Sequence, residues 1–446
     1  MIDRPNIQGF VVRGYRLPYA GYVFLKLTGA AQARAALAEF IPHVITAEHW
    51  TDKPESGINL AFTYKGLQAI GLDEASLAAF PEEFRDGMAS RATILGDIDE
   101  SAPEHWEAPF RDGDAHVLVM ISAMNEAALQ TRNDQIRSAV ERTGGAEVVG
   151  YQLGAALEGG REHFGYADGF AQPAIEGSGF ENLDGPGAGA VDGDGWRPIK
   201  PGELLLGYED EQGALTPAPP PDAFGKNGSF LVYRKLHQDV ATFRRQLSEA
   251  AALYAGGEEL LAAKVVGRWR DGTPLDVSPD RPDPAVVADK ARNNAFDYKD
   301  DPDGLKCPIG AHVRRMNPRR SLPFDGKLVD RHRIMRRGIT YGEKLPEGAA
   351  DDGEDRGVIF MCLQANLARG FEFVQSQWGN GGNPFRLGQD QDVMLGPQDT
   401  QGTAKMTIPG TTRPFFLGPL SRVVTMRGGE YYFTPGINGL HHLARD

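Results

Sequence analysis

The sequence predicts an α+β protein built from two ferredoxin-like units, and three observations carry that prediction. Between Tyr22 and Leu153 the predicted elements run strand, helix, strand, strand, helix, strand, which is the order of a ferredoxin-like unit. A stretch rich in glycine, proline and aspartate follows, and after it a strand–helix pattern starts again. At 446 residues the chain is long enough for two domains, placed at 1–222 and 223–446. No repeat in sequence identity accompanies this duplication of architecture.

Taken in order, 22–28 (YVFLKLT) alternates apolar and polar residues at period two, as a half-buried strand does. Residues 31–41 have helical spacing, with Ala35, Leu37 and Ile41 toward one side. Residues 58–64 (INLAFTY) predict a second strand, and 116–122 (HVLVMIS) is apolar enough for a central one. Asn125 is placed to cap a helix running to about Arg142, with Gly144 and Gly145 as its stop. Residues 146–153 complete the unit. From Glu181 to Phe224 the chain has too few apolar residues to fold alone and is expected to be loop and linker. Beyond it, 229–237 is a strand, and 238–255 a helix with Val240, Phe243, Leu247, Ala251 and Tyr254 on one stripe. Residues 358–364 predict a buried strand and 366–378 a helix. The pair 423–426 and 431–434 flanks Arg427-Gly428-Gly429-Glu430, which predicts a hairpin.

Composition narrows the function. With 41% hydrophobic and 24% charged residues the chain is of ordinary globular type. A net charge of −14 argues against general nucleic-acid binding. No run of about 18 apolar residues suggests a membrane span, and the first residues lack the apolar core of a secretory signal. Two cysteines, Cys307 and Cys362, form no disulfide framework and fit a reducing compartment. The expected location is the cytoplasm.

Against that acidic background, eight arginines fall between positions 314 and 337: Arg314, Arg315, Arg319, Arg320, Arg331, Arg333, Arg336 and Arg337. Internal carboxylates, an anionic ligand or phosphates could neutralise them. Dense zinc patterns, a phosphate loop and GxSxG are all absent, so the chemistry rests on isolated groups. Gly165-Tyr166-Ala167-Asp168-Gly169 sets an aspartate where glycines allow close backbone approach. Taken alone, a turn with an Asx cap is the better reading of that pattern. His312 alone reads as an ordinary histidine. Beside Asn317-Pro318-Arg319 and Arg336-Arg337, however, its imidazole and their guanidiniums suit a haem, which needs an iron ligand and partners for its propionates.

GYADG followed by FAQP, AHVRRMNPR and RRGITYG resemble the dye-decolourising peroxidase family. NIQGFVVRGY, RGFEFVQSQW and GGEYYFTPG match it too, in the family's order across almost the whole chain, in its long form. The resemblance implies two ferredoxin-like domains facing each other in a dimeric α+β barrel architecture, with one haem b per chain held mainly by the second. It implies His312 as the proximal iron ligand, Asp168 as the distal acid and Arg336 as the distal arginine, with Arg337 the alternative one position on. Gly169, Phe170 and Ala171 would lie against the cofactor. Asn317, Pro318 and Arg319 would line the haem edge and bind a propionate. Asp392, in DVMLG, would hold the proximal imidazole, and Val358 and Phe360 would shape the distal pocket.

The activity so implied is reduction of hydrogen peroxide with one-electron oxidation of bulky organic donors such as dyes and phenolics. Such donors cannot enter a pocket sized for peroxide, so Trp378, then Tyr431 or Tyr432, are expected to carry electrons from the surface. The expected partners are peroxide and an organic reductant, without nucleic acid or membrane. Assembly as a homo-oligomer is left open. Two other readings stay in view: a haem-carrying or iron-releasing protein on the same fold, and a haem-free module using the arginines for an anionic partner.

Overall fold

The computed structural model describes residues 1–193, 195–397 and 404–445. The first half supplies β1 (Tyr19–Leu27), α1 (Ala30–Phe40), β2 (Ser56–Phe62), β3 (Val117–Ala123), α2 (Glu126–Thr143) and β4 (Ala146–Ala155). The second supplies β5 (Ser229–Gln238), α3 (Val240–Ala251), α4 (Gly257–Val266), α5 (His312–Met316), β6 (Met335–Arg336), β7 (Ile339–Tyr341), β8 (Gly357–Gln364) and β9 (Val424–Thr434). Sheet order is β4-β1-β3-β2 and then β9-β5-β8-β6, with β7 also on β8. Each half therefore repeats one strand order, the last strand lying beside the first. All pairings are antiparallel.

The two half-sheets meet at a single residue pair, Phe62↔Phe433. On the opposite side the Thr340 hydroxyl donates to the Ala155 carbonyl at 2.5 Å, bringing β7 against the end of β4. These contacts make an α+β barrel. Across its interior the Tyr233 ring of β5 meets Tyr22 and Phe24 of β1 edge-on, at 5.7 and 5.3 Å between centroids. A fully buried side chain of this kind stabilises the fold by about 1.5–3 kcal/mol.

Local signals explain most boundaries. The Asn125 side chain accepts from the Ala128 amide at 2.8 Å to start α2, and Gly144 ends it in the left-handed region at φ +71°. Asp239 caps α3 in the same way through the Thr242 amide. Val240, Phe243 and Leu247 are its buried stripe.

Several elements differ from expectation. β1 begins at Tyr19 and is buried over most of its length rather than alternating, because helices cover one face and the barrel interior the other. On α1 the buried positions are Ala33, Ala36, Leu37 and Phe40, while Ala35 is exposed. Residues 368–379 wind as π-helix. The expected hairpin at 423–434 is one continuous strand, β9, lying along β5 with Arg427 bulged out. There Gly428 is required because a Cβ would meet the Phe110 ring at 2.3 Å; the glycine serves close approach, not a turn. The 181–224 stretch is also more than linker. Leu204, Leu205 and Leu206 are fully buried, and the carbonyls of Gly187, Ala188 and Gly189 bind buried arginines of the second half.

Candidate functional site

Strand alternation builds the site. Arg234, Leu236 and Gln238 of β5, Val358 and Phe360 of β8, and Val424 and Met426 of β9 share one face and line a cavity outside the second half-sheet. α5 and the loop carrying Asp168 close over it.

His312 opens α5. The turn before it is anchored by Asp301, whose carboxylate accepts from the Lys306 and Cys307 amides and from Arg314. Arg315 donates to the carbonyls of Gly310, Trp378, Gly381 and Asp390. Both arginines are therefore structural braces. Arg315 fixes the loop that delivers Asp392 two residues later. Asp392 is fully buried; Oδ2 lies 2.9 Å from His312 Nδ1, and Oδ1 accepts from the Met394 and Leu395 amides. Burial alone would lower the imidazole pKa, but the Asp392 charge outweighs it and holds His312 above its ordinary value. With Nδ1 engaged, Nε2 has no partner among the described residues and is left for the cavity that His312 lines.

Asp168 enters from the first half on a loop with Gly165 and Gly169 at φ +97° and +91°. Its carboxylate meets Arg336 Nη1 at 2.9 Å, while Arg336 Nη2 donates to the Phe170 carbonyl at 2.8 Å. One guanidinium thus grips both the acid and its loop. Partial desolvation beside the cavity walls would raise the Asp168 carboxyl, but Arg336 and the Gly169 amide overcome it and hold the group below the usual carboxylate range. Of the arginine pair, Arg336 is the one at Asp168. Arg337 points elsewhere, donating to the carbonyls of Phe10 and Arg336.

Phe170, Ala171, Asn317, Arg319, Val358 and Phe360 all line the His312 cavity. Pro318 does not, and Gly169 lines the neighbouring cavity. Pro318 is buried under the turn that follows α5. The relay candidates are not at the surface as expected: Trp378, Tyr431 and Tyr432 are 2%, 1% and 0% exposed, so none touches a bulky donor directly and a part in electron transfer would be as an interior step. Trp378 packs edge-on against His332, which lines the cavity, at 5.2 Å. Tyr431 donates to Glu372 at 2.9 Å.

Four further residues escaped the sequence reading. Gln172, the glutamine of FAQP, accepts from the Arg336 amide at 2.9 Å and so sets that arginine's backbone. Glu162 accepts from the Phe164 and Tyr166 amides and from Gln238 Nε2, clasping the Asp168 loop to β5. Arg268 and Arg333 join Arg319 at one edge of the cavity. Arg333 stood out only as one of the clustered arginines, and Arg268, in GRWRDG, carried no signal.

Those three guanidiniums decide what the cavity can hold. Arg319 donates to the carbonyls of Asn294 and Phe296, both at 2.6 Å, and Arg333 to those of Ala188 and Gly189. Arg268 is held by Gly272, Asn293 and Asn294. Among the described residues none of the three has a carboxylate in ion-pair range. Burial pushes Arg268 down to about 10 and Arg319 to about 9, and lowers Arg333. Buried cations satisfied only by neutral carbonyls leave a positive edge that an anionic group would stabilise. A free imidazole nitrogen, apolar walls from Phe360, Phe371 and Leu395, and this cationic edge fit a haem with two carboxylates.

Comparison with known proteins gives the family. Residues 6–149 match the DyP dimeric alpha+beta barrel domain, and 214–387 match the Dyp-type peroxidase C-terminal model. The dye-decolorizing peroxidase of Mycena epipterygia is 31% identical over 99% of this chain and 87% of its own length. The dye-decolorizing peroxidase msp1 of Mycetinis scorodonius is 30% identical over 98% and 87%. A solved dye-decolorizing peroxidase in complex with 2,6-dimethoxyphenol superposes with a TM-score of 0.84 at 29% identity, over the whole of both chains.

Proposed function

The chain belongs to the dye-decolourising peroxidase family, and from that premise we propose that it reduces hydrogen peroxide at one haem b held by His312, with Asp168 and Arg336 as the acting pair. It is a peroxidase that oxidises bulky organic donors. The observation that carries the residue assignment is a single cavity holding a histidine braced by a buried carboxylate and, separately, an aspartate gripped by an arginine.

When bound, haem supplies the iron and the redox equivalents. Of the chain's own groups, Asp168 is ionised at neutral pH, because Arg336 favours its charged form. It can take the proton from one peroxide oxygen and return it to the other, a general-base then general-acid role. Arg336 offers fixed positive charge where hydroxide develops as it leaves. Asp392 accepts from His312 Nδ1–H, which orients the ring and strengthens it as a donor. Arg268, Arg319 and Arg333, buried cations at one edge of the cavity, would hold the propionates. The cytoplasm is the proposed compartment, supported by two cysteines that are both buried and free.

The reading in which haem is cargo is tested together with this one. Mixing the haem-loaded protein with one equivalent of peroxide should change its absorption within the mixing time, and Asp168→Asn should slow that change. A stable spectrum in the unaltered protein would favour the carrier.

A further inference from the structure

A second cavity, of about 440 Å³, lies inside the barrel. The cross-strand pairs Ala20↔Ser122 and Tyr22↔Met120 of β1 and β3 line it, with Met361 of β8 contributing from the other half. Its outer end is bounded by Gly14, Arg16 and Gly160, all exposed. Asp168, whose amide donates to the Gly160 carbonyl at 3.0 Å, stands at the same mouth, and with Arg336 and Val358 it also lines the His312 cavity. The chamber therefore opens to solvent beside the Asp168–Arg336 pair and runs from there into the barrel.

Hydrogen peroxide alone needs little of this space, since a water molecule occupies roughly 30 Å³ of liquid. Cavities of about 300–1,000 Å³ are those that hold small organic molecules. The lining indicates which kind. Met120, Met361 and Tyr22 offer soft apolar and aromatic contact. The polar groups Tyr15 and Asn59 are bonded to each other at 2.9 Å and ask nothing of a ligand. Arg13 lies flat on the Trp50 ring at 3.8 Å.

We propose that this chamber receives the organic tail of an alkyl or aralkyl hydroperoxide, and that the enzyme uses such hydroperoxides as oxidants alongside hydrogen peroxide. The inference rests on the peroxidase reading of the Asp168–Arg336 pair. The tail lies among Tyr22, Met120 and Met361, and the –OOH end reaches Asp168. Asp168 takes the proton of the terminal oxygen and delivers it to the alkoxy oxygen as the O–O bond breaks, so the tail leaves as an alcohol. The remaining oxygen becomes water. Two donor molecules each give up one electron and one proton, which balances ROOH going to ROH and H2O.

The test compares hydrogen peroxide, tert-butyl hydroperoxide and cumene hydroperoxide by stopped-flow on the holoenzyme. It adds binding of the unreactive 2-phenyl-2-propanol to the same protein by saturation-transfer NMR. Cumene hydroperoxide should react within about a hundredfold of hydrogen peroxide, and the alcohol should bind. Ser122→Leu, which adds bulk on the chamber wall opposite Ala20, should lower the cumene-to-hydrogen-peroxide rate ratio by about tenfold or more, the discrimination that one or two methylenes make in an apolar pocket. It should also weaken alcohol binding. Ala156→Trp, at the exposed rim just beyond β4, gives the same readout if the first variant folds poorly. An unchanged ratio in both variants, or no binding of the alcohol, overturns the inference. Reaction with hydrogen peroxide but with neither organic hydroperoxide overturns it alone; failure of hydrogen peroxide itself overturns the peroxidase reading as well.

Discussion

Replacing Asp168 by asparagine separates chemistry from structure. The asparagine Oδ1 can still accept from Arg336 Nη1, so the loop keeps the contact now seen at 2.9 Å. What disappears is the negative charge and the base. The ion pair is half open, at 60% side-chain exposure for Asp168 and 35% for Arg336, so its loss should change folding stability by about 1 kcal/mol or less. The loss of a positioned base should slow reaction with peroxide by about 100- to 10,000-fold, which is about 3–5 kcal/mol in the barrier. Stopped-flow absorbance under pseudo-first-order peroxide gives the rate, and a denaturant titration gives the stability. The pH profile supplies a second check. Arg336 holds the Asp168 carboxyl below its ordinary value of about 3.9. The base form therefore persists above that value and is lost only as pH falls through the depressed one. The peroxide step should stay flat from neutral pH down to the acid range and decline only below about pH 4. A variant rate within threefold of the unaltered enzyme, or an identical acid limb in both, would falsify the role given to Asp168.

Other perturbations test neighbouring contacts. Asp392→Asn weakens the hydrogen bond that makes His312 a strong donor; the haem midpoint potential should rise and haem affinity fall by about 10- to 100-fold, and an unmoved potential by spectroelectrochemistry counts against the assignment. Arg319→Met should weaken haem retention during gel filtration, because one cation of the propionate edge is gone, while the His312 ligation spectrum stays the same. Trp378→Phe should slow turnover of a bulky dye at an unchanged peroxide rate, since this indole abuts His332 at the cavity wall; equal dye kinetics remove it from the electron path. Arg234→Met strands Asp97, whose carboxylate is buried and held by two contacts at 2.5 and 2.9 Å. That change should cost about 3–5 kcal/mol by denaturant unfolding.

The residues proposed to face the cofactor stand in short segments that can be matched to a family motif, which is why they could be named from sequence. For Asp168, His312 and Arg336 the residues alone left a turn and an ordinary histidine as readings, and their roles came from the family resemblance; in the structure all three line one cavity, with Asp168 and Arg336 2.9 Å apart. The arginine cluster was harder to read. Sequence shows eight like charges close together but not which carbonyls lie beside them, so the bracing roles of Arg314 and Arg315 emerged only with the loops they hold. The same limit applies to Arg268, Arg333 and Gln172, which reach the site through contacts distant in sequence. Gly428-Gly429 looked like a turn because close packing against Phe110 and a hairpin leave the same local mark. The surface position expected of the relay candidates did not hold, since aromatic type does not encode exposure: Trp378 and Tyr431 are buried.

The most direct measurement is the absorption spectrum of the haem-loaded protein before and after one equivalent of hydrogen peroxide, taken for the unaltered chain and for His312→Ala. The expected result is a histidine-ligated ferric haem in the unaltered chain, oxidised by the peroxide and returned by a phenolic donor, with the ligation signature lost in the variant. A histidine-ligated spectrum that survives His312→Ala, or a haem in the unaltered chain that ignores peroxide, would contradict it.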